Sequence, residues 1–124
     1  TGVDFAIDVH GDEGLPYVFL AGGENVPSMT DRQRQLQSDF AAALLKASPD
    51  FQTEHGYPRA KNANLTLCAN NLAEHFGCFA TTLEMPFKDN ANAPDDAEGW
   101  SQERCRKLGA DCLAALHAVL PGLR

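Results

Sequence analysis

The chain has 124 residues, 44% of them hydrophobic and 22% charged, the size and composition of one soluble globular domain with a single core. Ten Lys and Arg against seventeen Asp and Glu leave a formal charge of −7, which repels phosphate backbones and anionic lipid, so neither nucleic acid nor a membrane surface is an expected partner. No apolar run approaches the roughly 20 residues of a membrane-spanning helix, and no basic stretch with an apolar signal core stands at the N-terminus.

In chain order, Val3-Asp4-Phe5-Ala6-Ile7-Asp8-Val9-His10 is rich in β-branched and aromatic residues and stops at Gly11, which predicts a buried strand with His10 at its C-terminal end. A second strand is predicted for Tyr17-Val18-Phe19-Leu20-Ala21, between Pro16 and Gly22-Gly23, joined to the first by a tight acidic turn. Thr30-Asp31-Arg32-Gln33 has the capping-box arrangement, and Leu36, Phe40, Ala43, Leu44 and Ala47 follow at helical spacing until Ser48-Pro49. Leu65, Ala69, Leu72 and Phe76 predict a second helix with Gly77 as its stop. It leads into a strand from Cys78 to Met85, with Phe79, Thr81, Leu83 and Met85 on one face, Ala80, Thr82 and Glu84 on the other, and Pro86 closing it. Residues 88–99 lack any period and read as a long loop, mobile or covering a site. From Ser101, the positions Cys105, Leu108, Cys112, Leu116 and Val119 form a last amphipathic helix ended by Pro121-Gly122.

Strands alternating with helices predict an α/β fold with a mostly parallel or mixed sheet flanked by helices. Residues 1–124 read as a single domain. Cys68, Cys78, Cys105 and Cys112 lack zinc-knuckle spacing and read as free thiols, with Cys105 and Cys112 as small buried groups on one helix face, which suits a reducing cytoplasm.

Ligand sites of such sheets lie beyond the carboxyl ends of the strands, where the pattern puts both His10 and Glu84. His10 can point into a cleft, with Gly11 leaving room beside it, and Asp8, on the same strand face, can accept a hydrogen bond from the imidazole. A lone strand-end histidine is more commonly a structural residue. Glu84 is a carboxylate in an otherwise apolar or neutral strand, costly to bury unless paired, so it is either a site residue or the partner of Lys88 or Arg59. His10-Gly-Asp-Glu13 has His-x-x-Glu spacing, but it straddles a strand end and a turn, and Glu13 reads as a solvated turn carboxylate. His55, His75 and His117 read as a loop residue, a helix C-terminal residue and a helix-face residue. Tyr57 lies in a loop from which it could reach a substrate, though an ordinary half-buried tyrosine is the plainer account.

Asp8-Val9-His10-Gly11-Asp12-Glu13 with Leu15-Pro16-Tyr17-Val18-Phe19, then Thr81-Thr82-Leu83-Glu84-Met85-Pro86-Phe87, together resemble the zinc carboxypeptidases, and most of all the bacterial cytosolic carboxypeptidase-like subgroup. The resemblance implies that His10 is the third zinc ligand and Glu84 the general base, and that the fold is the C-terminal half of a zinc-peptidase αβα sandwich. It implies a peptide or protein C-terminus as substrate, with a preference for acidic C-terminal or branch residues. The upstream His-x-x-Glu motif and the arginines that bind the substrate in this family have no counterparts here. The expectation is therefore a portion of a longer enzyme, inactive alone and prone to self-association through an uncovered sheet edge. The alternative is a stand-alone α/β binding or interaction module without catalytic metal, with Gly22-Gly23-Glu24-Asn25 as an anion-binding turn.

Overall fold

A computed structural model describes residues 2–123. Its elements are β1 (Phe5–Asp12), β2 (Phe19–Ala21), α1 (Asp31–Ala47), α2 (Cys68–Phe76), β3 (Phe79–Pro86) and α3 (Gln102–Leu123). The sheet is mixed, in the order β1-β3-β2, with β1 parallel and β2 antiparallel to the central β3. β1 and β2 are consecutive in sequence but do not pair. β3 lies between them because it can be covered on both faces, whereas β1 is only half-buried.

The alternation read in β3 divides the core. Phe79 and Leu83 pack with Leu36, Phe40, Leu44, Leu108, Ala115 and Val119 from α1 and α3. Cys78 and Ala80 pack with Ala69 and Ala73 of α2 and with Val26. The result is an αβα arrangement with α1 and α3 on one face and α2 on the other. Phe5, Phe40 and Phe79 form an aromatic triangle with centroids 5.3–5.5 Å apart, which seats α1 on the sheet.

The capping box of α1 is present: the Thr30 side chain accepts from Gln33 N, and Thr30 N donates to Gln33 Oε1. Gln33 does more than cap. Its buried Nε2 donates to Ala73 O and Cys78 O, which ties the start of α1 to the end of α2 and the entrance of β3. α2 begins at Cys68, later than the apolar spacing from Leu65 suggests, because Asn64 Oδ1 accepts from Thr66 N and Oγ1 and holds the preceding residues in a turn. Gly77 ends α2 at φ 61°, as its sequence position implied.

Three expectations need correction. α3 runs through Pro121 and Gly122 to Leu123, because Arg32 Nη1 donates to the carbonyls of Gly122 and Leu123 and the Leu123 side chain is buried in the core. The four cysteines are free, but Cys105 and Cys112 are only half-buried, and Cys78 is the buried one. The segment 88–99 is hydrogen-bonded along its length and lines neither of the two clefts described below. Arg104, at the start of α3, donates to Asp50, Asp89, Gly99 O and Ala93 O, and its guanidinium lies 4.7 Å from the Trp100 ring. Trp100 N closes the loop onto Lys88 O at 2.8 Å.

Candidate active site

The parallel pairing of β1 with β3 sets His10 directly opposite Glu84, both near the carboxyl ends of their strands. The ladder runs two residues further, to Asp12 and Pro86, and Phe87 N then donates to Asp12 O at 3.2 Å. The two strands thus deliver their polar residues to one open cleft of about 560 Å³, lined by His10, Asp12, Glu13, Tyr57, Glu84 and Phe87 together with Gly11 and Gly14.

His10 is half exposed, and Asp8 Oδ2 lies 3.1 Å from its Nε2 while Nδ1 lies 3.7 Å from Glu84 Oε1. Asp8 therefore does what its shared strand face suggested. A carboxylate on Nε2 places the imidazole proton there and leaves the Nδ1 lone pair facing the cleft. An imidazole held in that way could serve a metal through Nδ1. Gly11 leaves room for the ring at the cleft rim: a Cβ there would stand 2.4 Å from Phe87 Cε1 and displace that exposed side chain.

Glu84 is 5% exposed. Among the described residues its nearest ionisable neighbour is His10, 3.7 Å away, and no ion pair joins it to Lys88 or Arg59. Burial raises its carboxyl above the usual range; the nearby His10 and Tyr57 pull it back, and the negative Asp12 and Asp8 push it up again. A carboxylate raised in this way holds a proton more readily than an ordinary surface glutamate, as a general base that must later release its proton requires.

Tyr57 and Asp12 complete the cluster. The Tyr57 hydroxyl donates to Asp12 Oδ2 at 2.6 Å, and the ring stands edge-on to Phe19 with centroids 5.0 Å apart. Burial, the Asp12 bond and the charge of Glu84 together hold the phenol well above its ordinary range, so it is a neutral O–H donor at any physiological pH. The Tyr57 bond, aided by the amides of Gly14 and Leu15 on Oδ1, keeps Asp12 below the usual carboxylate range despite its partial desolvation. Reading the sequence singled out neither Asp12 nor Phe87 and left Tyr57 as an ordinary residue. The signal for Asp12 was present in Asp12-Glu13-Gly14, the pattern of a side-chain-closed turn.

Glu13 lines the cleft but is exposed. His55 stacks on Tyr17 at 4.3 Å, His75 sits edge-on to Phe76 at 4.7 Å in the last turn of α2, and His117 is exposed on α3. Among the described residues no three His, Cys, Asp or Glu side chains converge on one metal position. His10 fits a metal as one ligand and leaves the rest of a coordination shell to be supplied from elsewhere. Gly22-Gly23 serves packing, since Gly23 N is taken by Asn70 Oδ1 at 2.6 Å and a Cβ on Gly23 would stand 1.8 Å from Ala80 O. The Gly23 amide is therefore not available to an anion at this turn.

A larger cleft of about 800 Å³ adjoins the site and shares Tyr57 with it. Its walls come from β2, α1 and the segment 51–64, and they carry Arg34 and Arg59 along with Glu24 and Glu54.

No protein-family model matches the chain. An uncharacterized protein of Zymomonas mobilis is 47% identical over 125 residues, which is 99% of this chain and 33% of that protein. Solved structures give the resemblance more content. A Shewanella denitrificans protein provisionally named as a carboxypeptidase A shares 55% identity and a TM-score of 0.94 over 98% of this chain and 33% of its own. The metallo-carboxypeptidase of Pseudomonas aeruginosa, solved in complex with (2-guanidinoethylmercapto)succinic acid, shares 42% identity and a TM-score of 0.95 over 99% of this chain and 33% of its own. A metallo-carboxypeptidase of Burkholderia cenocepacia matches at 51% identity and a TM-score of 0.92, over 97% of this chain and 32% of its own. The resemblance to the metallocarboxypeptidases thus extends over nearly the whole chain in both sequence and fold, while the chain spans about a third of the length of these relatives.

Proposed function

We propose that this chain, residues 1–124 as one domain, works as part of a zinc-dependent metallocarboxypeptidase that removes C-terminal residues from peptides or proteins, with His10 as a metal ligand and Glu84 as the general base. The observation that carries the reading is the pairing of His10 with Glu84 across adjacent parallel strands, Asp8 bracing the imidazole behind them. The similarity to proteins named as metallo-carboxypeptidases supports it from outside the site. One ligand falls short of the three protein ligands of an ordinary catalytic zinc, so the remaining donors belong to residues beyond this chain. The free thiols agree with a cytoplasmic location.

Zinc, when bound, would supply Lewis acidity beside the scissile bond. This chain's own groups do the rest. Glu84 takes the proton of the attacking water and returns it to the leaving amine, a transfer suited to a carboxyl held above its usual range. Asp8 keeps the His10 ring from turning. Tyr57, neutral and beside Glu84, donates its hydroxyl proton to a carbonyl or carboxylate oxygen of the substrate once that oxygen replaces Asp12 as acceptor. The larger cleft receives the side chain of the residue to be removed, and Arg59 in its walls is the group that would hold an acidic one against the opposing charges of Glu24 and Glu54.

The test is hydrolysis of blocked dipeptides ending in glutamate or in leucine by the intact zinc-loaded enzyme. Glu84→Gln is expected to lower kcat by about 10²- to 10⁴-fold, and Arg59→Ala to reduce the advantage of glutamate over leucine. Full activity in Glu84→Gln would sink the assignment of the base.

A further inference from the structure

The loop that carries Tyr57 hangs from one buried amide. Residues 53–57 are exposed, yet Gln52, which precedes them, is 6% exposed and uses its whole hydrogen-bonding capacity. Its Nε2 donates to Val18 O at 3.1 Å and to His55 O at 2.8 Å, and its Oε1 accepts from Glu54 N at 2.8 Å and His55 N at 2.6 Å. Two of these bonds fold the loop on itself, a third closes it at His55 O, and the fourth fastens it to the residue that leads into β2. The Gln52 backbone adds a bond to Val18 O at 3.3 Å, beside the Val18–Phe51 bridge.

Tyr57 follows His55 by two residues, and its ring and the intervening Gly56 both rest on Phe19 of β2, with an added Cβ on Gly56 standing 3.1 Å from that ring. The Gln52 amide thus fastens the end of the segment that leads into Tyr57 to the residue before β2. Side-chain contacts of Tyr57 with Phe19 and Asp12 fix its angle, while the Gln52 amide holds the backbone of residues 54 and 55 just before it, and Asn25 holds Ala60 beyond it.

We propose that Gln52 is a positioning residue that acts through Tyr57, setting the reach of the phenol toward Glu84. The proposal rests on the role given above to Tyr57. Gln52→Glu keeps the volume and the two accepted bonds and turns both donated bonds into contacts between oxygens, so it releases the loop from Val18 and His55 O without emptying the site.

Two measurements on the intact protein test this. In the first, nuclear Overhauser contacts between the Tyr57 and Phe19 rings are compared in the wild type and in Gln52→Glu, without substrate. Their loss in the variant supports the proposal, and their persistence overturns it whatever the enzyme does. In the second, kcat/KM is measured for wild type, Gln52→Glu, Tyr57→Phe and the double variant. Gln52→Glu is expected to cost on the order of tenfold or more, while adding it to Tyr57→Phe costs less than about twofold, since two residues acting through one hydroxyl are not additive. An equal loss in both backgrounds shows a general structural role and overturns the proposal. A wild type without carboxypeptidase activity defeats the proposed function, and the ring contacts then decide the positioning role alone.

Discussion

His10, Glu84, Tyr57 and Asp12 were not equally legible. His10 and Glu84 could be found because each is a polar residue at the end of an apolar strand, a local property of the sequence. Tyr57 and Asp12 are 45 positions apart and meet only because the segment 51–57 folds back onto β2, so no local pattern announced their bond. Two predictions belong at this scale. Glu84→Gln in metal-free protein is expected to hold or raise the thermal midpoint, since an isosteric neutral amide relieves a buried carboxylate; a fall worth more than about 2 kcal/mol would show that the charge is structural. Tyr57→Phe removes one hydrogen bond to Asp12 and is expected to cost about 0.5–1.5 kcal/mol in denaturant unfolding, together with a loss in kcat/KM.

The elements were read well where their signals were local. The capping box at Thr30, the left-handed Gly77 and the alternation in β3 each define a boundary or a face through a few adjacent residues. The misreadings came from distant contacts. Pro121 did not end α3 because Arg32, from another helix, holds the last carbonyls. The segment 88–99 looked unattached because its anchor, Arg104, lies beyond it in α3 and its other anchor, Asp50, far before it. Arg104→Met is therefore expected to cost about 1.5–3 kcal/mol by denaturant unfolding, as it removes the cation shared by Asp50 and Asp89 and the donor to two carbonyls, while amide bonds from Asn90 and Asp95 remain on the carboxylates. A cost below about 1 kcal/mol would mean that water replaces the guanidinium.

The same loop gives a pH prediction. The amides of Asp95 and Asn90, and Arg104, hold the Asp89 carboxyl below its usual value against slight desolvation. A carboxyl with a lower value in the folded state binds its proton more weakly there than in the unfolded chain. Its stabilising contribution is complete above the unfolded value of 3.8 and is lost as pH falls through the lower folded value. Acid unfolding of Asp89→Asn should accordingly be less steep below about pH 4 than that of the wild type, and identical slopes would remove Asp89 from the account.

At the scale of the whole molecule, the sheet has β1 as one edge, and Val9 on it is 56% exposed. Among the described residues no helix is long and apolar enough to cross a membrane. A half-covered edge strand agrees with a chain that spans a third of its relatives. The α/β class and a sheet flanked by helices could be read from the alternation of elements, and the αβα sandwich followed from the family resemblance. The strand order could not, because nothing local tells β1 and β2 that β3, some 60 residues later, will come between them.

The central claim is that His10 is one ligand of a zinc site whose other ligands lie outside this chain. Isothermal calorimetry of zinc binding tests it most directly, with this chain, its His10→Ala variant and the intact enzyme measured side by side. The account predicts tight binding by the intact enzyme, its loss in His10→Ala, and weak binding by this chain alone; tight zinc binding by this chain, or by the intact enzyme carrying His10→Ala, would contradict it.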